Sequence, residues 1–219
     1  MIQDHYDAAI LCDKAYDTSR SDIWSAFETD ALVRVKSDVV KINVRGTEFS
    51  KSLLGGNFSW EGAKNTLDVL KDLRAWPTWT ADSIWAHKGF ARGAKVWAEA
   101  YALRLATLDR PIELSGHSLG AGIVVQLAII LTRMGFKVRS VVTFGEPAGF
   151  YFGSEKKLSK LHIPITSYLH SNDWIQYAPP WGNTGVPRTR ILPTPGVSRQ
   201  AHDIGLYAQA LAEKANPQD

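Results

Sequence analysis

Apolar residues recur at helical spacing over residues 4–17, with Ile10, Leu11 and Ala15 on one side, and predict an amphipathic opening helix. Two Val- and Ile-rich runs, 31–36 and 39–44, flank Ser37-Asp38 and predict two strands joined by a tight turn. Arg45-Gly46-Thr47 closes the second strand, and a loop bearing Gly, Asn and Ser follows over 48–64. A helix is expected near 65–74, ending before Pro77. Phe90, Val96, Trp97, Tyr101 and Leu105 supply the apolar stripe of a long helix over 89–108. Next come a short strand near 111–115, a helix over 119–134 closed by Gly135, and strands over 138–144 and 165–170. A Pro- and Gly-rich loop runs to about residue 196, and a helix over 203–215 ends the chain. Strands alternating with long helices predict an α/β fold, with a largely parallel central sheet flanked by helices, in a single domain spanning 1–219. In such a sheet the reactive groups collect in loops at the carboxyl ends of the strands.

Composition narrows the class. The chain has 219 residues, 45% of them hydrophobic and 21% charged, which is the balance of a globular domain with a proper core. The net charge of +3 is mild and its basic residues are scattered, so nucleic acid is not an expected partner. Lys156, Lys157 and Lys160 cluster, as a solvated helix face would. Cys12 is the only cysteine, which excludes an intramolecular disulfide. No apolar run approaches the ~20 residues of a membrane helix. The acidic opening segment has no uninterrupted apolar run of the kind a secretory signal needs, and a cytoplasmic location is the expectation. No ligand-spaced Cys/His set and no dinucleotide fingerprint occurs, so neither metal nor cofactor is expected.

The chemistry concentrates at Gly116-His117-Ser118-Leu119-Gly120, a G-x-S-x-G pattern between a predicted strand and an apolar helix. A strand turning abruptly into a helix holds the serine in strained geometry with its hydroxyl projecting outward. Side chains at Gly116 or Gly120 would collide with the neighbouring strand or helix. The helix that starts here turns its free N–H groups and positive dipole end toward the site.

Serine is a weak nucleophile until a base takes its proton. Turns of this kind have their partners in the chain order nucleophile, acid, histidine. His202, in a loop just before the final helix, is the first choice for the base, with His170 second. Asp173, in the turn after the strand over 165–170, is the first choice for the acid, and Glu146 is the fallback. Asp203 reads as a cap of the last helix. An oxyanion needs donors already in place. The Leu119 N–H is one by position, and Thr47 offers a second through its N–H and hydroxyl, or else caps a turn.

Taken in order, these pieces resemble the class 3 lipase family of the α/β-hydrolase superfamily, the fungal-type lipases with their bacterial and viral relatives. The matching segments are Val44-Arg45-Gly46-Thr47, His87-Lys88-Gly89-Phe90, Gly116-His117-Ser118-Leu119-Gly120-Ala121, Val142-Thr143-Phe144-Gly145-Glu146-Pro147 and Asn172-Asp173 with Pro179-Pro180, followed by a histidine before the last helix. The resemblance implies a modified α/β-hydrolase fold, a triad of Ser118, Asp173 and His202, and an oxyanion hole of Thr47 and Leu119. It also implies a lid after the oxyanion residue, here an insertion over 48–66. Asp68 resembles the family's Asp-Trp position, with Val69 in place of the tryptophan.

Five tryptophans (Trp60, Trp76, Trp79, Trp85 and Trp97) fall near the expected lid, where they read either as an apolar wall for an acyl chain or as core packing. Trp60, Phe90, Trp174 and Trp181 are the candidates for substrate contact. The expected activity is cofactor-independent hydrolysis of an apolar acyl ester, a small molecule or a lipid, with transient contact at a lipid interface. Two rivals stand beside it: acyl transfer at the same site, and a catalytically silent hydrolase fold used for binding or structure.

Overall fold

The computed structural model describes residues 1–27, 29–46, 77–80, 84–151, 154–177, 182, 188–191 and 200–216. Helix α1 (Ile2–Lys14) is followed by strands β1 (Ile23–Ala26), β2 (Thr29–Val35) and β3 (Val40–Val44). Strands β4 (Pro77–Trp79) and β5 (Trp85–His87) lead into helix α2 (Lys88–Leu108), then β6 (Ile112–His117) and α3 (Leu119–Arg133). The remainder is β7 (Val138–Phe144), α4 (Glu155–Ser159), β8 (Ile165–His170), β9 (Arg188–Ile191) and α5 (Ile204–Ala215). Two 3₁₀ turns, Trp174–Tyr177 and Gln200–His202, carry the segments that matter for the site.

Among the described residues, seven strands form one sheet in the order β1-β2-β3-β6-β7-β8-β9, and β4 pairs with β5 as a separate ribbon. The first two pairings are antiparallel and the other four are parallel. This is the largely parallel sheet that the alternation of strands and helices predicts. Both faces of its central strands are covered, and polar side chains buried among them pair, as where Ser115 Oγ donates to Asn43 Oδ1 at 2.6 Å. On one face Ile42, Leu114 and Val141 pack with Trp97, Val124, Leu127 and Leu131 of α2 and α3. On the other face Val142, Phe144 and Tyr168 meet Ala9 and Cys12 of α1 and Tyr207 and Leu211 of α5.

Several details differ from the sequence reading. The buried positions of α1 are Ala9 and Cys12, whereas Ile10 and Leu11 are only half-buried. Small side chains face inward because α1 packs closely against α5 as well as the sheet. Trp97 is core: it is fully buried, stacks 6.2 Å from Trp24 and donates its indole N–H to the Trp24 carbonyl at 2.9 Å. Strands β1, β4, β5 and β9 are additions to the predicted elements, and β9 lies inside the segment read as a loop. The helix expected near 65–74 and the insertion over 48–66 lie outside the described residues.

Candidate active site

Strand β6 runs two residues further than predicted and delivers Ser118 at the carboxyl edge of the sheet. Ser118 has φ 56 and ψ −130, a region that costs an ordinary residue ~1–3 kcal/mol. The cost is carried by the packing on either side. A Cβ on Gly116 would meet the Gly120 carbonyl oxygen at 2.5 Å, and one on Gly120 would run into the backbone carbonyls of Val44 and Arg45. The elbow is thus wedged between its own helix and the end of β3. The Ser118 N–H is tied to the Phe144 carbonyl at 3.0 Å, and α3 begins at the next residue, with its first N–H groups turned toward the site.

Three side chains distant in the chain converge here. His202 Nε2 lies 2.8 Å from Ser118 Oγ, and His202 Nδ1 lies 2.8 Å from Asp173 Oδ2. A carboxylate only accepts, so Nδ1 carries the ring proton and Nε2 is left to accept from the serine hydroxyl. Asp173 is fully buried, one turn beyond β8, where its N–H bonds the His170 carbonyl at 3.0 Å. The Ile175 N–H donates to its Oδ1 at 3.0 Å and the Tyr207 hydroxyl donates to its Oδ2 at 2.7 Å. Burial pushes this carboxyl upward. The adjoining His202 and the two further donors outweigh that push, and Asp173 ends below its ordinary value. His202 ends a 3₁₀ turn immediately before α5, where Asp203 accepts from the Gly205 N–H at 2.7 Å as the helix cap.

The second choices sit elsewhere. His170 ends β8, with its ring against that of Tyr207 at 4.4 Å. Glu146 is buried and accepts from Thr143 Oγ1 at 2.8 Å and Ser167 Oγ at 3.1 Å, bracing β7 to β8.

Four supporting residues escaped the sequence reading. Tyr207 looks like any apolar position of the last helix, and only its hydroxyl reaches Asp173. Gly145 has φ +55, and a Cβ there would lie 2.9 Å from His202 Cε1 and Nδ1 and 3.1 Å from Asp173 Oδ2. His117, beside the serine, is fully buried and its ring is pushed down to about 3, first by burial and then by neighbouring His202. Its Nε2 lies 2.8 Å from the His202 carbonyl oxygen, an acceptor, so Nε2 bears the proton and Nδ1 accepts from Tyr16 Oη at 2.8 Å. The Tyr16 hydroxyl in turn meets the Gly46 backbone N–H, and burial raises its pKa. The outcome is a buried chain of hydrogen bonds from the end of β3, through Tyr16 in the turn after α1, to the main chain of His202. The motif's position x is where a sequence signal for it existed.

Of the residues proposed for substrate, Trp174 is half-buried with its ring 5.8 Å from that of His202. Phe90 is buried with Leu119, Leu169 and Ile175, directly behind the elbow. Thr47, Trp60 and Trp181 lie outside the described residues. Gly46 is the last described residue before Thr47, and a Cβ on it would fall 2.9 Å from Ser118 Cβ. Among the described residues no group of three His, Cys, Asp or Glu side chains is placed to hold a metal, and no helix is long and apolar enough to cross a membrane.

A mostly parallel sheet with helices on both faces and a serine at a strand-to-helix elbow is the α/β-hydrolase arrangement. The model of the family "Lipase (class 3)" matches residues 57–183, more than half of the chain, and the chain belongs to that family. It is a carboxylic ester hydrolase by class. Solved structures share the fold. The triacylglyceride lipase of Rhizomucor miehei is 18% identical, with 88% of this chain and 80% of that chain covered and a TM-score of 0.63. A lipase from Yarrowia lipolytica is 17% identical, covering 86% and 78%, with a TM-score of 0.64. A triacylglycerol lipase whose catalytic centre is formed by a serine protease triad is 18% identical, covering 87% and 79%, with a TM-score of 0.62. No curated protein sequence matches the chain.

Proposed function

We propose that the chain hydrolyses esters with an apolar acyl group through an acyl-enzyme on Ser118. The observation that supports this is the continuous relay from Ser118 Oγ through both nitrogens of His202 to Asp173. Ser118 Oγ attacks the ester carbonyl while its proton passes to His202 Nε2. Asp173 keeps Nδ1 protonated and stabilises the imidazolium that forms. The developing oxyanion is held by the Leu119 N–H at the start of α3, together with Thr47. The close approach of Gly46 to Ser118 favours Thr47 as that second donor. His202 then returns the proton to the leaving alcohol, and a water activated by the same nitrogen releases the acid.

The acyl group is assigned to the side of half-exposed Trp174, which packs on the buried cluster of Phe90, Leu119, Leu169 and Ile175 behind the elbow. Two of the structurally similar proteins are triacylglycerol lipases, and a lipid ester reached at an interface is the substrate class proposed here. The test is Ser118→Ala assayed on a soluble nitrophenyl ester, where kcat is expected to fall by roughly 10⁴ or more. A loss of less than about tenfold would refute the assignment.

A further inference from the structure

Among the described residues, the large aromatic side chains left exposed are Phe27, Trp79 and Trp85, at 43%, 61% and 37%. All three stand on the edge of the molecule where Ser118 opens. Strand β2 starts where β3 and β6 end, since Ala31 pairs with Val44 and Val44 with Gly116, and Phe27 lies two residues before β2. Helix α2 begins at the same edge: a Cβ on Gly93 would touch Thr29 Oγ1 at 2.8 Å and Ile123 of α3 at 3.7 Å. The β4–β5 ribbon feeds directly into α2. It is fastened to the loop after β7 by the Ala86–Phe150 bridge and by the His87 N–H on the Gly149 carbonyl at 2.9 Å.

Cations accompany the rings. The Arg92 guanidinium lies 4.4 Å from the Phe27 ring centroid, and the Lys157 ammonium lies 5.5 Å from that of Trp79. Lys88 and Lys156 are exposed nearby, on α2 and α4. Helix α4 is hooked to the ribbon by Ser154 Oγ donating to the Trp85 carbonyl at 3.0 Å. Among the described residues of the β1–β2 turn, the ribbon, α4 and the start of α2, the acids are Glu155, which is exposed, and Asp30, which is paired with Arg45. Among the described residues, the exposed aliphatic side chains Met1, Ile2, Val35, Leu103 and Met134 lie away from this edge, at the start of α1, at the far end of β2, late in α2 and beyond α3.

Phe27 stands beside Arg92, and the edge-on Trp79–Trp85 pair, with ring centroids 4.8 Å apart, stands beside Lys157. Two exposed aromatic groups, each beside a cation, are suited to a plane rather than a groove. Aromatic rings favour the boundary between headgroups and acyl chains, and cations favour a negatively charged surface. We propose that Phe27, Trp79, Trp85, Arg92 and Lys157 form a rim that seats the mouth of the site on an anionic lipid surface. The inference rests on the ester-hydrolase reading of the Ser118 site, and it adds which surface the enzyme meets and through which residues.

The experiment is co-sedimentation with vesicles of phosphatidylcholine alone and of an equal mixture with phosphatidylglycerol. Hydrolysis of a soluble nitrophenyl ester and thermal melting are followed in parallel. The chain binds the mixed vesicles more tightly, and the difference shrinks as salt rises. The variant Arg92→Gln with Lys157→Gln loses about fivefold per cation on the mixed vesicles and little on phosphatidylcholine. The variant Phe27→Asn with Trp79→Ser loses about tenfold on both. Asparagine suits the φ of 40 at position 27. Should that double variant fail to fold, Trp79→Ser at the most exposed ring carries the test alone. Hydrolysis of the soluble ester is unchanged in every folded variant. Equal binding to the two vesicle types, or variants that bind as the parent does, overturns the rim. Loss of soluble-ester hydrolysis by the parent chain would instead strike the ester reading and leave the vesicle result standing.

Discussion

Gly145 offers a way to move the His202–Asp173 pair without touching either residue. Alanine at this position acquires a Cβ 2.9 Å from His202 Cε1 and Nδ1 and 3.1 Å from Asp173 Oδ2, where ordinary contact begins at 3.4 Å. The imidazole must therefore retreat by about half an ångström, away from a geometry in which it bonds both Ser118 and Asp173 at 2.8 Å. Misplacement of reacting groups by about 1 Å costs ~10²-fold in rate, so kcat for Gly145→Ala is expected to fall ~10- to 100-fold. KM should stay within about threefold, because the substrate-facing groups do not move. The φ of +55 adds ~1 kcal/mol of backbone strain and lowers the melting temperature by about 2–4 °C.

Strain alone could slow an enzyme indirectly, and Gly135→Ala controls for it. Gly135 has φ +90, and nothing lies within 4 Å of the place a Cβ would occupy, so alanine there brings backbone strain and no contact. Both variants should melt earlier than the parent, and only Gly145→Ala should lose kcat. The assay is steady-state hydrolysis of a soluble nitrophenyl ester beside a thermal melt. Parental kcat in Gly145→Ala, with the melting temperature lowered as expected, would show that the relay tolerates displacement and would undo the prediction.

Tyr207→Phe removes the hydroxyl that donates to Asp173 Oδ2 at 2.7 Å. A hydrogen bond to a charged group contributes ~1.5–3 kcal/mol, and part of it should appear as a ~10-fold loss of kcat. The same variant should raise the pKa of Asp173, so that acid inactivation sets in at higher pH; an unaltered kcat and acid profile would contradict this. A second prediction concerns acid stability. Burial pushes His87 down to about 4, and burial with neighbouring His202 pushes His117 down to about 3. The unfolded chain takes up both protons near pH 6.5 and the folded chain does not, so stability is full above that pH and falls as the pH drops toward 4. At pH 5 the two rings together cost ~4 kcal/mol, or roughly 8–16 °C in melting temperature relative to pH 7.5. A melting temperature level between pH 7.5 and 5 would count against it.

What the sequence revealed follows the strength of its patterns. The strands over 138–144 and 165–170 are found at their predicted bounds because both are short runs rich in β-branched and aromatic residues, with their second halves buried. The helix after Ser118 was legible from its apolar run. Strands β1, β4, β5 and β9 have three or four residues each, too few to show a period, and Pro77 and the Gly- and Pro-rich surroundings of β9 read as loop. Ser118, Asp173 and His202 could be named because motif and chain order constrain them, and their convergence needed coordinates. Tyr207 and Tyr16 had no such handle, and Gly145 and His117 stood inside motifs that gave them no role of their own. They act through contacts between segments far apart in the chain, so no local spacing announces them. Trp97 went to the core, while Trp79 and Trp85 stayed on the surface ribbon. One cluster in sequence thus became two environments in space.

Every chemical step depends on Ser118 being a nucleophile activated by its neighbours. Treatment with a fluorophosphonate, followed by intact-mass and peptide mass spectrometry, reads that property without choosing a substrate. One adduct per chain is expected, carried by Ser118, with loss of ester hydrolysis in proportion to labelling and no adduct in Ser118→Ala. An unlabelled parent chain, or a label on another residue that tracks the loss of activity, would contradict the role given to Ser118.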